Sequence, residues 1–251
     1  MSLNWGIIPA AGRGTRIQPL AFSKELLPVG TRYDRDTERP RAVTEYLLER
    51  MLTGGVNRVC VIISPEKTDI IRYFGSRIDG VPICYVVQQS PGGLCDALFT
   101  ALPLISADDE LCVGLPDTVW FPLEGFQLLP PGKFSFLLFP VARPELFDAV
   151  IADHHGVIEQ IQVKRQNPAS EWIWGAFKLT GKHFSDLHEL WIERHRSDEY
   201  LGTLVNAYLA RGGSAFAVKR GDVYVDVGTL NGYREALRVL SNQGTIHELA
   251  S

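Results

Sequence analysis

The stretch IPAAGRGTR at residues 8–16, followed closely by SKELLPV at residues 23–29, decides how this chain is interpreted. The first stretch comes directly after a short apolar strand and contains two glycines, whose backbone can approach a bound anion closely. An arginine in the first stretch and a lysine in the second supply positive charge for a polyphosphate. Together the two stretches predict a loop that binds the phosphates of a nucleoside triphosphate.

This loop differs from the two commoner glycine-rich phosphate loops. The chain has neither Gly-x-x-x-x-Gly-Lys-Ser/Thr nor a Gly-x-Gly-x-x-Gly that opens a helix with an acidic residue about 20 positions later. Gly12-x-Gly14 by itself is also compatible with a glycine turn in an ordinary α/β protein. The lysine-containing stretch that follows is what favours the phosphate-binding interpretation.

The composition excludes several classes of protein. The 251 residues are enough to bury a sizeable core, and a net charge of −4 lacks the basic footprint of a nucleic-acid or anionic-membrane binder. No apolar run approaches the roughly 18 residues of a membrane span, and no signal peptide is recognisable. We therefore expect a cytoplasmic protein with no nucleic-acid or membrane partner. The cysteines have no Cys-x-x-Cys spacing and are expected to be buried, reduced thiols: Cys60, Cys84, Cys95 and Cys112.

Strand-like and helix-like patterns alternate through the first half of the chain, which is typical of a parallel sheet with crossover helices. The apolar run from Arg58 to Ile63, for example, predicts a buried strand. We therefore predict an α/β fold with a Rossmann-like, mixed but mostly parallel sheet flanked by helices. The charged segment at residues 31–39 is expected to be a solvated loop, with a lid or an interface as the alternatives.

Two aspartates are candidate magnesium ligands. In an open parallel sheet, ligands collect beyond the carboxyl ends of the strands, so the loops after Ile8, Val87 and Leu111 are expected to meet. Asp117 follows the last of these strands, and Asp226 lies in an apolar strand further along. Mg²⁺ needs only a few carboxylates besides phosphate and water, so two convergent aspartates suffice. A helix N-cap or a turn is the structural alternative for Asp117.

The join of Gly-x-Gly-Thr-Arg to Lys-Glu-Leu-Leu-Pro-Val, with Tyr-Val-Asp-Val-Gly-Thr at residues 224–229, resembles the signature of the sugar-1-phosphate nucleotidyltransferases. The resemblance covers nearly the whole chain. It implies a single nucleotidyltransferase domain over residues 1–251, with residues 1–120 binding the nucleotide and residues 121–251 the acceptor. It also implies a Mg²⁺-dependent enzyme that couples dTTP or UTP to a sugar 1-phosphate or related phosphomonoester and releases pyrophosphate. A homo-oligomer is compatible with this family.

The same resemblance implies a role for each site residue. The catalytic residues would be Arg16, Lys24, Asp117, Lys164 and Asp226, of which Asp117 and Asp226 hold the metal. The nucleotide would be bound by Ala10, Ala11, Gly12, Gly14, Thr15, Arg16, Lys24, Gln88, Gly93 and Asp117. The acceptor would be bound by Asp148, Lys164 and Gly175. The carboxamide of Gln88 presents a donor and an acceptor, which suits the imide edge of uracil or thymine. A solvated strand end is the alternative for Gln88, and a surface lysine is the alternative for Lys164.

The sequence departs from the family pattern mainly on the acceptor side. Val163 stands where the family has the glutamate of Glu-Lys-Pro, and Asp148 replaces a glycine that lets the backbone approach the sugar. An unpaired hydrogen-bonding group costs about 1–3 kcal/mol, so we predict that the acceptor is not plain glucose 1-phosphate. Trp172 and Trp174 are placed either to stack against the acceptor or to pack in the core.

Two other function classes stay open. One is a relative that binds a nucleotide or sugar nucleotide without turnover, which the altered acceptor side and a shortened loop before Lys24 motivate. Such a sensor is expected to lose Arg16, Lys24 or one of the aspartates, and all of these are present. The other is a cytidylyltransferase that acts on a non-sugar alcohol phosphate such as phosphocholine.

Overall fold

Strands and helices alternate through the first half of the chain, and the second half adds antiparallel strands and three helices. The computed structural model describes residues 3–90 and 92–249, with side chains as far as residue 241. The strands are β1 (Asn4–Pro9), β2 (Pro28–Asp34), β3 (Thr37–Ala42), β4 (Arg58–Ile63), β5 (Arg77–Ile78), β6 (Val81–Val87), β7 (Glu110–Gly114), β8 (Thr118–Phe121), β9 (Ser135–Pro140), β10 (Asp148–Ala152), β11 (Ile158–Val163), β12 (Trp172–Thr180), β13 (Phe216–Val218) and β14 (Val223–Asp226). The helices are α1 (Val43–Thr53), α2 (Thr68–Phe74), α3 (Gly93–Phe99), α4 (Gly181–Glu193), α5 (Leu201–Ala210) and α6 (Leu230–Leu249).

A ten-stranded mixed sheet runs in the order β11-β10-β12-β7-β1-β4-β6-β5, with β9 paired to β12 and β13 paired to β9. The part of this sheet formed by β7-β1-β4-β6 is parallel. β12 runs antiparallel to β7, β9 and β10. These pairings confirm the predicted α/β class with a mixed sheet in one domain. No helix in the described part of the chain is long and apolar enough to cross a membrane.

Successive side chains of each strand point to opposite sides of the sheet. Apolar side chains on both sides are buried. Trp5 and Ile7 of β1 pack in one apolar core, and Ile8 packs in the other, which includes Leu47 of α1. Each large aliphatic side chain buried in this way contributes roughly 1.5–3 kcal/mol. A one-residue slip would exchange the two faces, so the packing fixes the register of the central strands.

The charged segment at residues 31–39 differs from the predicted loop. It belongs to an antiparallel hairpin of β2 and β3, whose turn places Arg35 at a φ of 55°. All side chains from residue 31 to residue 40 are exposed. Cross-strand and tertiary ion pairs support the hairpin, since Arg39 lies 3.5 Å from Asp34 and Arg32 lies 2.9 Å from Glu45 of α1. The prediction of a loop was therefore wrong, although the segment is solvated.

The four cysteines are free thiols, as predicted, but Cys84 is only partly buried. Cys60 and Cys84 are register partners on the parallel strands β4 and β6. A hydrogen bond with Cys60 lowers the pKa of Cys84 to about 7. Burial raises the pKa of Cys95 to about 12 and has the same effect on Cys112.

We predict that iodoacetamide alkylates Cys84 before the other three cysteines near neutral pH, because the thiolate is the reactive form. Peptide mass mapping after brief labelling measures the order. Cys60→Val removes the hydrogen bond and is expected to slow labelling of Cys84, since its pKa should return toward the ordinary value of 9.0. Labelling of Cys95 or Cys112 first would contradict this prediction.

Candidate active site

A single antiparallel ladder brings Asp117 and Asp226 together. Asp226 ends β14 opposite Thr118, the first residue of β8, and the N–H of Val227 donates to the carbonyl of Asp117 at 2.8 Å. Gly228 lies beside both carboxylates, because a Cβ at this position would be 2.8 Å from Asp226 Oδ1 and 3.0 Å from Asp117 Oδ2. The two predicted metal ligands therefore face one cleft, although they are far apart in the sequence.

Each of these aspartates has one cationic partner. Lys24 Nζ lies 2.5 Å from Asp117 Oδ2, and Arg16 Nη1 lies 2.9 Å from Asp226 Oδ2. Burial alone would raise the pKa of Asp117, but the Lys24 ammonium outweighs this effect and holds the pKa below its usual value. Burial also opposes the charge of Lys24, whose pKa is nevertheless raised by Asp117 and then by Glu25. The Lys24–Asp117 pair is therefore charged at neutral pH.

The predicted phosphate loop passes against the side chain of Lys24. Gly14 has a φ of 65°, and a Cβ at this position would lie 2.6 Å from Cδ of Lys24. Glycine is thus required both by the left-handed backbone and by the close approach of the lysine. Gly12 has open space beside it, and Thr15 is exposed.

A buried ion pair that the sequence analysis missed ties this loop to the turn that carries Lys24. The ammonium of Lys67 donates to the carbonyls of Ala10 and Gly12 at 2.7 and 2.6 Å, and to both carboxylate oxygens of Glu25 at 2.7 and 2.8 Å. Burial raises the pKa of Glu25 and lowers that of Lys67, and each partner opposes the shift of the other. In the sequence, the indication of this pair was Glu25, a charged residue within the apolar Lys-Glu-Leu-Leu-Pro-Val run. A carboxylate that is buried in such a run needs a charged partner.

Two further polar contacts fix the same turn. The hydroxyl of Thr44, in the first turn of α1, lies 2.9 Å from the carbonyl of Glu25 and 3.0 Å from that of Pro116. The backbone N–H and the hydroxyl of Ser23 both donate to the carboxylate of Asp69 at 2.7 Å. The turn is therefore held to α1, to α2 and to the loop that precedes Asp117.

The expected nucleotide-base residue lies in a cavity of about 650 Å³ beside this turn, lined in part by Ala11, Lys67 and Gln88. Gln88 is only 6% exposed, and its amide N–H donates to the carboxylate of Asp96 in α3. This contact orients the carboxamide within the cavity wall. The alternative of a solvated strand end is therefore wrong for Gln88. Gly93, at the start of α3, has a φ of 90°.

The predicted acceptor residues face a second cavity of about 270 Å³. The side chains that matter to its chemistry are Lys24, Asp117, Asp148, Lys164, Trp174, Tyr200, Tyr224 and Asp226. Lys164 is exposed, but its ammonium lies 4.8 Å from the ring centroid of Tyr200. Burial raises the pKa of Asp148, and the Trp174 indole and then the Lys164 charge offset part of that rise.

Gly175 is not among the residues that line this cavity, and its predicted contact with the acceptor stays a prediction. A Cβ at Gly175 would lie 2.5 Å from Cε2 of Tyr224 and 2.6 Å from Cε2 of Phe139. The glycine thus makes room for Tyr224, which does line the cavity. Of the two tryptophans, Trp174 reaches the cavity, whereas Trp172 lies near Lys219.

The two cavities together show which predicted loops meet. The loops after β1 and β6 line the larger cavity, and the loops after β1 and β7 line the smaller one. Within the described ranges, no group of three or more His, Cys, Asp or Glu side chains could hold a metal. The Asp117–Asp226 pair nevertheless fits Mg²⁺, which commonly binds one or two carboxylates and completes its shell with phosphate and water.

We predict that Lys24→Met lowers the free energy of unfolding by roughly 3–5 kcal/mol at neutral pH, because it leaves Asp117 buried without its partner. The folded-state pKa of Asp117 is below 3.8, so the contribution of the pair is complete above that pH and is lost as the pH falls through the folded-state value. Urea unfolding of both proteins across the acid range measures the difference. Lys182→Met, at an exposed pair with Asp186, is the control, and a pH-independent difference would contradict the assignment.

A second prediction concerns the buried Lys67–Glu25 pair. Lys67→Met and Glu25→Leu are each expected to destabilise the fold by roughly 3–5 kcal/mol, whereas the double variant should lose less than the sum. Lys67→Met is also expected to weaken the binding of a nucleoside triphosphate. The double variant should not restore this affinity, because the carbonyls of Ala10 and Gly12 still lack their donor. Urea unfolding and titration calorimetry separate the two effects, and additive losses of stability would disprove the coupling.

Comparison with known proteins agrees with this geometry. Residues 5–243 match the family model described as nucleotidyl transferase. The glucose-1-phosphate thymidylyltransferase of Neisseria meningitidis is 29% identical in an alignment that covers 97% of this chain and 85% of that protein. The enzyme of the same name from Mycolicibacterium smegmatis is 30% identical, over 92% of this chain and 80% of its own length.

A solved structure extends the similarity to the fold. A Bacillus anthracis protein assigned as a glucose-1-phosphate thymidylyltransferase, crystallised with sucrose, superposes with a TM-score of 0.79 at 25% identity. The match covers 94% of both chains. The family model spans nearly the whole chain, and the aspartates and cations of its predicted signature meet in one cleft. The chain therefore belongs to the nucleotidyl transferase family of enzymes.

Proposed function

We propose that this chain is a Mg²⁺-dependent nucleotidyltransferase that couples dTTP or UTP to a sugar 1-phosphate or a related phosphomonoester and releases pyrophosphate. The observation that carries the proposal is the pair of carboxylates, Asp117 and Asp226, which face one another beside Gly228 with Lys24 and Arg16 as their partners. The names of the relatives support a role in sugar nucleotide biosynthesis.

The proposed reaction needs charge neutralisation more than proton transfer. An oxygen of the acceptor phosphate forms a bond to the α-phosphorus, and the bond from that phosphorus to the α,β-bridging oxygen breaks. Pyrophosphate leaves with the electron pair. The attacking oxygen is already anionic, because the second pKa of a phosphomonoester is about 6. The main barrier is therefore the approach of two polyanions, which cations lower.

Asp117 and Asp226 would hold the metal, which when bound neutralises and orients the phosphates. Lys24 and Arg16 would then exchange their carboxylate partners for phosphate oxygens. Arg16 can do so readily, since 61% of its side chain is exposed, whereas the Lys24 side chain is 14% exposed and lies against Gly14. In this proposal Lys24 is a fixed contact near the α-phosphate and Arg16 is a movable contact for the outer phosphates.

The remaining predicted residues divide between the two substrates. Gln88, oriented by Asp96, would pair with the pyrimidine base, and Lys164 would bind the acceptor phosphate. This arrangement supports the division into a nucleotide-binding half, residues 1–120, and an acceptor-binding half, residues 121–251. Residues 1, 2, 91, 250 and 251 of these halves lie outside the described part of the chain. The cytoplasmic location and a homo-oligomeric state stay predictions.

A pyrophosphate-release assay with dTTP, UTP, CTP, ATP and GTP, each against a panel of phosphomonoesters, tests the proposal. We expect Mg²⁺-dependent release with dTTP or UTP, and a decrease in kcat of about 100-fold or more in Asp226→Asn, as when a key electrostatic group is removed. Asp222→Asn, an exposed carboxylate just before β14, is the matched control and should retain activity.

Other outcomes would point to the other function classes. Tight nucleotide binding by calorimetry without turnover would favour a sensor. Turnover restricted to CTP would favour a cytidylyltransferase. An absence of pyrophosphate with every pair, or full activity in Asp226→Asn, would refute the proposed reaction.

A further inference from the structure

The acceptor cavity contains a carboxylate that the proposed reaction does not use. Asp148 begins β10, and its Oδ1 is buried without a hydrogen-bond partner. In the ranges that the structure describes, Asp148 has no cationic side chain within 4.0 Å. Lys164 lines the same cavity, but its ammonium lies over the ring of Tyr200 instead of pairing with Asp148.

This carboxylate opposes the binding of anions in the cleft. Asp117 and Asp226 are each paired with a cation, so an ionised Asp148 adds a negative charge that no side chain in the described ranges neutralises at contact distance. Like charges repel more strongly in a partly desolvated cavity than in water. A phosphate held at Lys164 would therefore be disfavoured by Asp148, unless another part of the acceptor carries a positive charge.

The walls around Asp148 favour such a positive charge. Phe147, Trp174, Tyr200 and Tyr224 line the same cavity. The negative face of an aromatic ring attracts an ammonium group, and the position of Lys164 over Tyr200 is an instance within this site. A hexose would instead need a polar partner for each buried hydroxyl.

We propose that the acceptor is a phosphomonoester that carries a cationic nitrogen, with its phosphate at Lys164 and its nitrogen at Asp148 between the aromatic walls. This inference rests on the function proposed above and specifies its second substrate. Amino-sugar 1-phosphates and phosphorylated amino alcohols share this chemistry. Nucleotidyl transfer itself is unchanged, because the cationic group takes no part in bond making or breaking.

Two matched pairs of acceptors test the charge and separate the two sources. Glucosamine 1-phosphate is compared with glucose 1-phosphate, and phosphocholine with 3,3-dimethylbutyl phosphate, its uncharged isostere. The intact enzyme is assayed for pyrophosphate release with Mg²⁺ and its preferred nucleoside triphosphate. We expect kcat/KM for the cationic member of at least one pair to exceed that of the neutral member by about tenfold or more.

Asp148→Asn removes the charge and keeps the shape of the side chain. We expect it to reduce the cationic-to-neutral ratio of kcat/KM to near one, while nucleotide affinity by calorimetry stays at the wild-type value. Glu145→Gln is the matched control, because Glu145 lies three residues away and pairs with Arg143 outside the cavity walls. The control should keep the wild-type ratio.

The outcomes distinguish this inference from the proposed function. Neutral acceptors used as well as, or better than, their cationic partners would overturn the inference and leave the nucleotidyl transfer intact. An unchanged ratio in Asp148→Asn would overturn the role of that carboxylate. Failure of every acceptor would refute the proposed function, and this inference with it.

Discussion

The placement of two carboxylates, Asp117 and Asp226, beside one cleft is the constraint around which the cleft is organised. Two carboxylates beside the same glycine, Gly228, would destabilise the fold if they had no cationic partners. The pairing of β8 with β14 fixes their positions, so the compensation must come from cations brought to them. Lys24 and Arg16 supply that compensation, and the same two groups are the ones a triphosphate would contact. In the proposed function, the cations that stabilise the folded cleft would therefore also be the groups that contact the triphosphate.

The fold restrains the positions of Lys24 and Arg16 to very different degrees. Lys24 sits on a turn whose next residue, Glu25, is held by the buried ammonium of Lys67, so its backbone has little freedom. Arg16 extends from the exposed part of the loop and has few other restraints. Lys67 connects the turn that carries Lys24 to the loop that carries Arg16, because it also binds two carbonyls of that loop. A buried lysine with four oxygen partners thus sets the distance between the loop and the turn, and it does so without contacting the cleft carboxylates.

The pattern of apolar and polar residues predicted many of the strands and helices, because the side chains that are buried recur in the sequence at the period of each element. The run from Arg58 to Ile63 is the strand β4 with those same bounds, and the alternation of elements gave the α/β class. The hairpin at residues 31–39 was missed, since its exposed charges obscure the strand pattern and its support comes partly from α1. Lys67 was missed because a lysine beside a short helix resembles a surface residue until its tertiary partners are known. The packing role of Gly175 was missed for a similar reason, since only the tertiary structure shows that its missing side chain makes room for Tyr224.

Family membership does not predict which acceptor the acceptor cavity binds. The side chains that line this cavity are the better guide to the acceptor. Lys24 and Asp117, which the proposed function assigns to the triphosphate and the metal, are tied together by charge, so changing one leaves the other unpaired in a buried site. Asp148 and Trp174, by contrast, meet at the acceptor cavity from β10 and β12, where the indole partly offsets the rise in the pKa of the carboxyl. Asp148 Oδ1 and Trp174 Nε1 are buried without a partner at hydrogen-bond distance in the described part of the chain, and an acceptor with complementary groups would gain the interactions that the fold leaves unmade. Specificity for the acceptor can therefore differ between proteins that share the same phosphate chemistry.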